Sequence, residues 1–163
     1  PLLHILEIEM GDRTLVQLTI LKNQSEQAKS FFTHPPDEED TSCGSGEIEH
    51  SFFTFYEVNY GELDFLELLH EAGIAYDSSW NAGGEYGPGT SSARYTPEGD
   101  LILKHISDEQ INPDLGTLMT LIDDPLGLRN FILTHKDRLT ALPWDDQIKY
   151  GKLYLTRKLI GAN

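Results

Sequence analysis

Cysteine is almost absent: Cys43 is the single one in 163 residues, so no disulfide can form within the chain. That excludes a disulfide-stapled scaffold and fits a reducing, cytoplasmic setting. Long apolar runs are missing too, and none approaches the roughly 18 residues that cross a bilayer. The opening stretch PLLHILEIEMGDR has no basic region and reaches an acid at Glu7, so no secretory leader is expected. Between Lys29 and Arg94 there is neither lysine nor arginine. Direct nucleic-acid binding needs phosphates neutralised by such residues, and this shortage argues against it and against anionic membranes.

Catalytic and metal signatures are equally scarce. The chain has no G-x-S-x-G, no H-E-x-x-H and no cysteine pair. Its six histidines, His4, His34, His50, His70, His105 and His135, are scattered. The stretch DEEDTSCGSGEIE lacks the alternating acids of a calcium loop. Cys43 stands among those acids, which disfavour the thiolate that a nucleophile needs. No metal site or cofactor is expected.

What the chain has is acid. Its net charge is −15, with thirteen acids in the window 30–93, whereas seven bases follow from Arg129 onward. A field of this sign attracts basic protein surfaces or cations. Apolar content of 39% is enough for one core.

Periodicity supplies the elements. HILEIEM and TLVQLTIL alternate around GD and read as a hairpin or two edge strands. NQSEQAKSFF reads as a short helix. THPPDEEDTSCGSGEIEH combines paired prolines with acids and glycine, so 33–50 is expected to be a mobile acidic loop. SFFTFYEVN is aromatic and β-branched, a central strand with Phe53 and Phe55 on one face and Phe52, Tyr56 and Val58 on the other. NYGELDFLELLHEAG reads as a helix capped by Asn59 and Glu62, with Gly73 as a left-handed stop. IAYDSSW, SSARYT and LILKHI read as strands, with TPEGD as a tight turn. Asn112–Pro113 and Asp124–Pro125 each open a helix, and a last helix is interrupted by Gly151. The pattern predicts one α+β domain: a mainly antiparallel sheet with one or two packed helices over 1–106, then a helical section over 107–163.

Residues 80–95, WNAGGEYGPGTSSARY, hold the glycines Gly83, Gly84, Gly87 and Gly89. They lead into a strand, no lysine follows, and Glu85 would repel phosphate, so a nucleotide cradle is a poor reading. A hairpin connection, its glycines supplying positive φ, fits better. The length exceeds what a hairpin needs, and Trp80, Tyr86 and Arg94 are residue types enriched in interfaces. Asp77, Glu85 and Glu57 would approach one another if strands 51–59 and 74–80 were neighbours, giving a carboxylate pair of glycosidase type.

The segment YGELDFLELLHEAGIAYDSSWNAGGEYGPGT resembles small acidic accessory proteins of phages and conjugative plasmids. The likeness covers about residues 51–105 and carries no catalytic motif. It implies a host- or defence-modulating protein, including the DNA-mimic, antirestriction type. The expected function is therefore non-enzymatic docking on the basic surface of a host protein. Asp37, Glu38, Glu39, Asp40, Glu57, Glu62, Asp64, Asp77, Trp80, Glu85, Tyr86 and Arg94 are the candidate contact residues. The alternative is a small-ligand site or enzyme pocket beside the loop 81–90, lined by Asp77, Glu85, Tyr86 and Arg94. A third reading is a subunit that oligomerises through a sheet edge or its C-terminal helix.

Overall fold

The computed structural model describes residues 12–42, 48–107 and 115–161. They form an α+β fold with β1 (Arg13–Leu21), α1 (Ser25–Lys29), β2 (Glu38–Ser42), β3 (His50–Asn59), α2 (Leu66–Glu71), β4 (Tyr76–Trp80), β5 (Gly89–Tyr95) and β6 (Leu101–Ser107). Helices α3 (Leu115–Leu121), α4 (Pro125–Leu139) and α5 (Gln147–Gly161) follow. All six strands join one antiparallel sheet in the order β2-β3-β1-β4-β5-β6. No described helix is long and apolar enough to cross a membrane.

β1 is not an edge strand. It lies between β3 and β4, with Val16, Leu18 and Ile20 wholly buried. The expected partner stretch HILEIEM falls outside the described residues. Part of the expected acidic loop is also a strand, because Glu38–Ser42 pairs with β3 and forms one edge of the sheet. An acidic edge is compatible with strand geometry when its outer side meets water, since like charges then alternate across the two faces.

β3 runs where expected, but its phase changes near the end. Thr14 pairs with Val58 and Val16 with Phe55, so two steps on β1 face three on β3. Glu57 absorbs the extra residue at φ 57°, an uncommon conformation for a residue with a Cβ. Val58 thereby joins Phe53 and Phe55 in the core instead of facing away from them. The core beneath this face also takes Phe32 and Phe65, with ring centroids 4.7–5.6 Å apart among Phe32, Phe53, Phe55 and Phe65. Burying each such ring stabilises by about 1.5–3 kcal/mol.

The helix expected from Asn59 begins later, at Leu66. Tyr60 at φ 53° and Gly61 at φ 71° turn the chain before it, so the proposed Asn59–Glu62 cap is not made. Its end is as expected. Gly73 is left-handed at φ 75°, its N–H donates to His70 O, and Ile74 N–H donates to Leu69 O. Those two bonds are a Schellman stop.

In the C-terminal section Asp124 caps α4 by accepting from Gly127 N–H at 2.9 Å, with Pro125 in the first turn. Asn112 and Pro113 lie outside the described residues. Leu115 and Met119 on α3, Ile122 in the turn after it and Leu126 at the start of α4 remain exposed. Helix α5 passes unbroken through Gly151, which faces Gly73: a Cβ at residue 151 would overlap the Gly73 carbonyl oxygen. The buried positions of α5 are Gln147 and Gly151, so this helix docks by backbone approach and a polar clamp. Gly151→Val forces the helix off the α2 stop. We expect a loss of about 1–3 kcal/mol, read as a lower urea midpoint.

Candidate binding groove

The pleat of the sheet sorts the candidate residues into two faces. Along one row Glu39, Phe53, Leu18, Ser78, Ser91 and His105 stand side by side from edge to edge. Along the neighbouring row of the opposite face run Asp40, Phe52, Thr19, Asp77, Ser92 and Lys104. Successive side chains on a strand point to opposite sides. Asp77 and Ser78 therefore cannot line the same site.

Above the first face the turn at 60–66 and the glycine loop leave a groove of about 800 Å³ over β4, β5 and β6. Ser78, Ser91, His105 and Ser107 form its floor with Trp80; Tyr60, Leu63 and Leu66 stand on one side, Glu62, Glu85 and Tyr86 at the loops. The connection between β4 and β5 is the expected hairpin, but its glycines act by space rather than by positive φ. The positive-φ glycines among the described residues are Gly61, Gly73 and Gly99. At Gly89 a Cβ would strike the Trp80 indole, and at Gly83 it would meet the Tyr86 ring and the Asp12 carboxylate. Glycine thus lets Trp80 lie down on the sheet. Its ring stacks on His105 at 5.1 Å, and its Nε1–H donates to Gly87 O at 3.2 Å. Asp12 steadies the loop by accepting from Glu85 N–H at 2.7 Å. Burial, the largest effect, pushes the Tyr86 phenol above its ordinary pKa.

Ser78 is the unusual member of the floor. It is 1% exposed, and its hydroxyl has no hydrogen-bond partner. The groove residues Tyr60, Ser78, Ser91, His105 and Ser107 were not singled out as site residues from the sequence. One signal was available: in YDSSW the serine at 78 occupies the inward phase between Tyr76 and Trp80, where an apolar residue belongs.

Asp77 and Arg94 serve the other face. Arg94 is 2% exposed, and its guanidinium donates to Leu142 O at 3.0 Å, Tyr76 O at 2.7 Å, Ala93 O at 3.0 Å and Asp77 Oδ2 at 2.8 Å. Trp144 covers it, with the ring centroid 3.6 Å from Cζ. Burial draws the guanidinium below its ordinary pKa, and Asp77 opposes that. The pair joins the sheet to the segment before α5, so neither residue lines the groove, and Arg94 is shielded from any partner while the Asp77 side chain stays 41% exposed. Gln147 completes this joint: its Oε1 accepts from Tyr95 N–H at 2.7 Å, and its Nε2 donates to Tyr95 O at 3.2 Å.

The remaining acids divide. Glu57 lies 3.6 Å from Arg13, and β1 separates its strand from β4, which removes the proposed carboxylate pairing with Asp77. On the β2 edge Glu39 pairs with Lys29 at 2.6 Å. Hydrogen bonding to Glu39 and then Glu26 holds the lysine above its ordinary pKa. Glu38 accepts from the Tyr56 hydroxyl at 2.7 Å, which raises that phenol. Asp37 accepts from Tyr56 N–H, Asp40 from Thr41 N–H and Asp64 from Thr33 Oγ1. Glu62 and Glu85 stay exposed at the groove. Among the described residues no group of three His, Cys, Asp or Glu is placed to hold a metal ion.

No protein-family model, curated protein or solved structure matches this chain.

Two outcomes follow from the Arg94 joint. Arg94→Ala orphans the carbonyls of Tyr76 and Leu142 and uncovers Trp144; we expect a loss of about 2–4 kcal/mol in chemical denaturation. Arg94→Lys restores little of it, because an ammonium cannot span the same fork. The second concerns His50 beside Trp144 at 4.9 Å, and His70 on α2. Burial, its main cause, pulls each imidazole below the ordinary 6.5. The unfolded chain therefore binds protons first as pH falls, so stability held above about pH 6.5 is lost on acidification through the folded-state pKa values. A His50→Asn/His70→Asn double variant should show a flatter stability profile between about pH 7 and pH 5.

Proposed function

We propose that the chain is a non-enzymatic binding module that docks on the basic surface of a partner protein. One observation carries the reading: Asp37, just before β2, and Glu38, Glu39 and Asp40 on it occupy four successive, exposed positions at the sheet edge. Of these, Glu39 is ion-paired with Lys29, while Asp37, Glu38 and Asp40 bond to neutral groups. An open strand edge offers backbone N–H and C=O groups to an added extended segment, and opposite charges across such a pair stabilise by about 0.2–1 kcal/mol each. Charged edges also keep sheets from associating with one another. Docking differs from that protective role in requiring a specific basic partner.

The narrower form of the reading is a mobile-element modulator that imitates DNA. Successive acids on an extended strand place one negative charge per roughly 3.4 Å, the linear density of a single DNA strand. The matching run is four residues long and one of them is neutralised, so it would fill a short basic groove rather than an extended one.

Immobilised chain should capture basic host proteins at about 0.05 M salt and release them near 0.5 M, where screening collapses to a few ångströms. The folded variant Asp37→Asn/Glu38→Gln/Asp40→Asn should capture the same proteins at least about fivefold less. For the DNA-mimic form, duplex DNA should displace the chain from its partner. Capture indifferent to both salt and the triple substitution would overturn the docking reading.

A further inference from the structure

The groove beside the glycine loop has an unfilled valence at its floor. The Ser78 hydroxyl is buried on the groove side of the sheet, beneath the lining, and bonds to nothing. Leaving a buried polar group in that state costs free energy that an incoming ligand atom can recover. The walls then restrict what that ligand is. Two carboxylates, Glu62 and Glu85, stand on the lining, and no lysine or arginine does. Of the nearby bases, Arg13 is paired with Glu57 and Arg94 is buried with Asp77 on the opposite face. An anion is therefore repelled, and a cation gains.

Aromatic surface narrows the choice further. Trp80 has committed its one N–H to Gly87 O and one ring face to His105, so what it retains is its other ring surface, and Tyr60 in the same lining is 53% exposed. The set is rich in acceptors and ring faces. A guanidinium is its complement: planar, with five N–H donors and no acceptor, and able to stack on a ring while bridging carboxylates. At about 800 Å³ the groove is too large for a bare metal ion. It falls in the roughly 300–1,000 Å³ range of pockets that take a drug-sized organic group.

Building on the docking reading, on which this step rests, we infer that the groove receives an arginine side chain from an extended segment of the basic partner. Its guanidinium lies between the aromatic wall and the Glu62 and Glu85 carboxylates, with one N–H donated to Ser78 Oγ. The β2 edge and the groove are then two separate contacts on one partner, one general for charge and one selective for arginine.

The test uses the full chain and a Gly-Gly-Arg-Gly-Gly peptide, followed by amide and indole NMR shifts. The citrulline peptide, which keeps the shape and lacks the charge, is the comparison. Expected are shifts at the Trp80 indole and the Ser78 and Ser91 amides, with citrulline weaker by about tenfold. Glu62→Gln/Glu85→Gln should weaken the arginine peptide by about tenfold, and Ser78→Ala by about threefold. The triple substitution on β2 should leave it within about twofold. Shifts confined to β2, or no shift at millimolar peptide, would overturn the groove inference while salt-sensitive capture of basic proteins still stood. Equal binding of citrulline would overturn selection for the cation. If capture of basic proteins also fails, the docking reading falls with it.

Discussion

A guanidinium taken out of water governs how the two halves of this molecule meet. Desolvating it costs several kcal/mol, and the cost is offset only when its N–H groups are satisfied. Arg94 achieves this with carbonyls of β4, β5 and residue 142, and with Asp77. Trp144 closes over it. The charge therefore requires the C-terminal section to sit where it does. Gln147 bonding to the Tyr95 backbone and Gly151 meeting Gly73 fix the same approach at two further points. A helix with little buried apolar surface is thereby held by polar and backbone contacts.

With one sheet face committed to that joint, loops shape the other where it runs over β4, β5 and β6, beside the apolar core on β1 and β3. Bulges and glycines do the shaping. The bulge at Glu57 turns Val58 inward, and the turn at Tyr60–Gly61 brings the chain down onto Trp80. Gly89 removes the Cβ that would lift the indole away. Glu57, Tyr60 and Gly61 depart from regular strand geometry whereas Gly89 lies within β5, and together they frame the groove.

The fold class was legible because it rests on alternation and on strong local signals. SFFTFYEVN, the Gly73 stop and the Asp124–Pro125 cap all behave as their chemistry dictates. Strand order was less accessible: nothing local in TLVQLTIL says that it inserts between β3 and β4. Acid content concealed β2, since Glu-Glu-Asp-Thr-Ser has poor strand propensity and is carried by its pairing with β3. For the groove, the sequence points to the loop with Glu85 and Tyr86, yet joins them to Asp77 and Arg94, while Glu62 and Trp80 enter it only as docking contacts. Neighbours in sequence are not neighbours in space here, because the pleat puts them on opposite sides. Ser78, Ser91 and His105 were passed over because their relation is across strands, and register sets it.

The joint also has a temporal side. Leu142, whose carbonyl Arg94 needs, follows it by 48 positions. At about 5–20 residues per second, a ribosome makes that stretch in roughly 2–10 s. During this interval the arginine of a nascent sheet keeps its water, because the groups that replace it have not all been made. Completion of the interior is thus postponed until the distal part of the polypeptide has been synthesised and has left the exit tunnel.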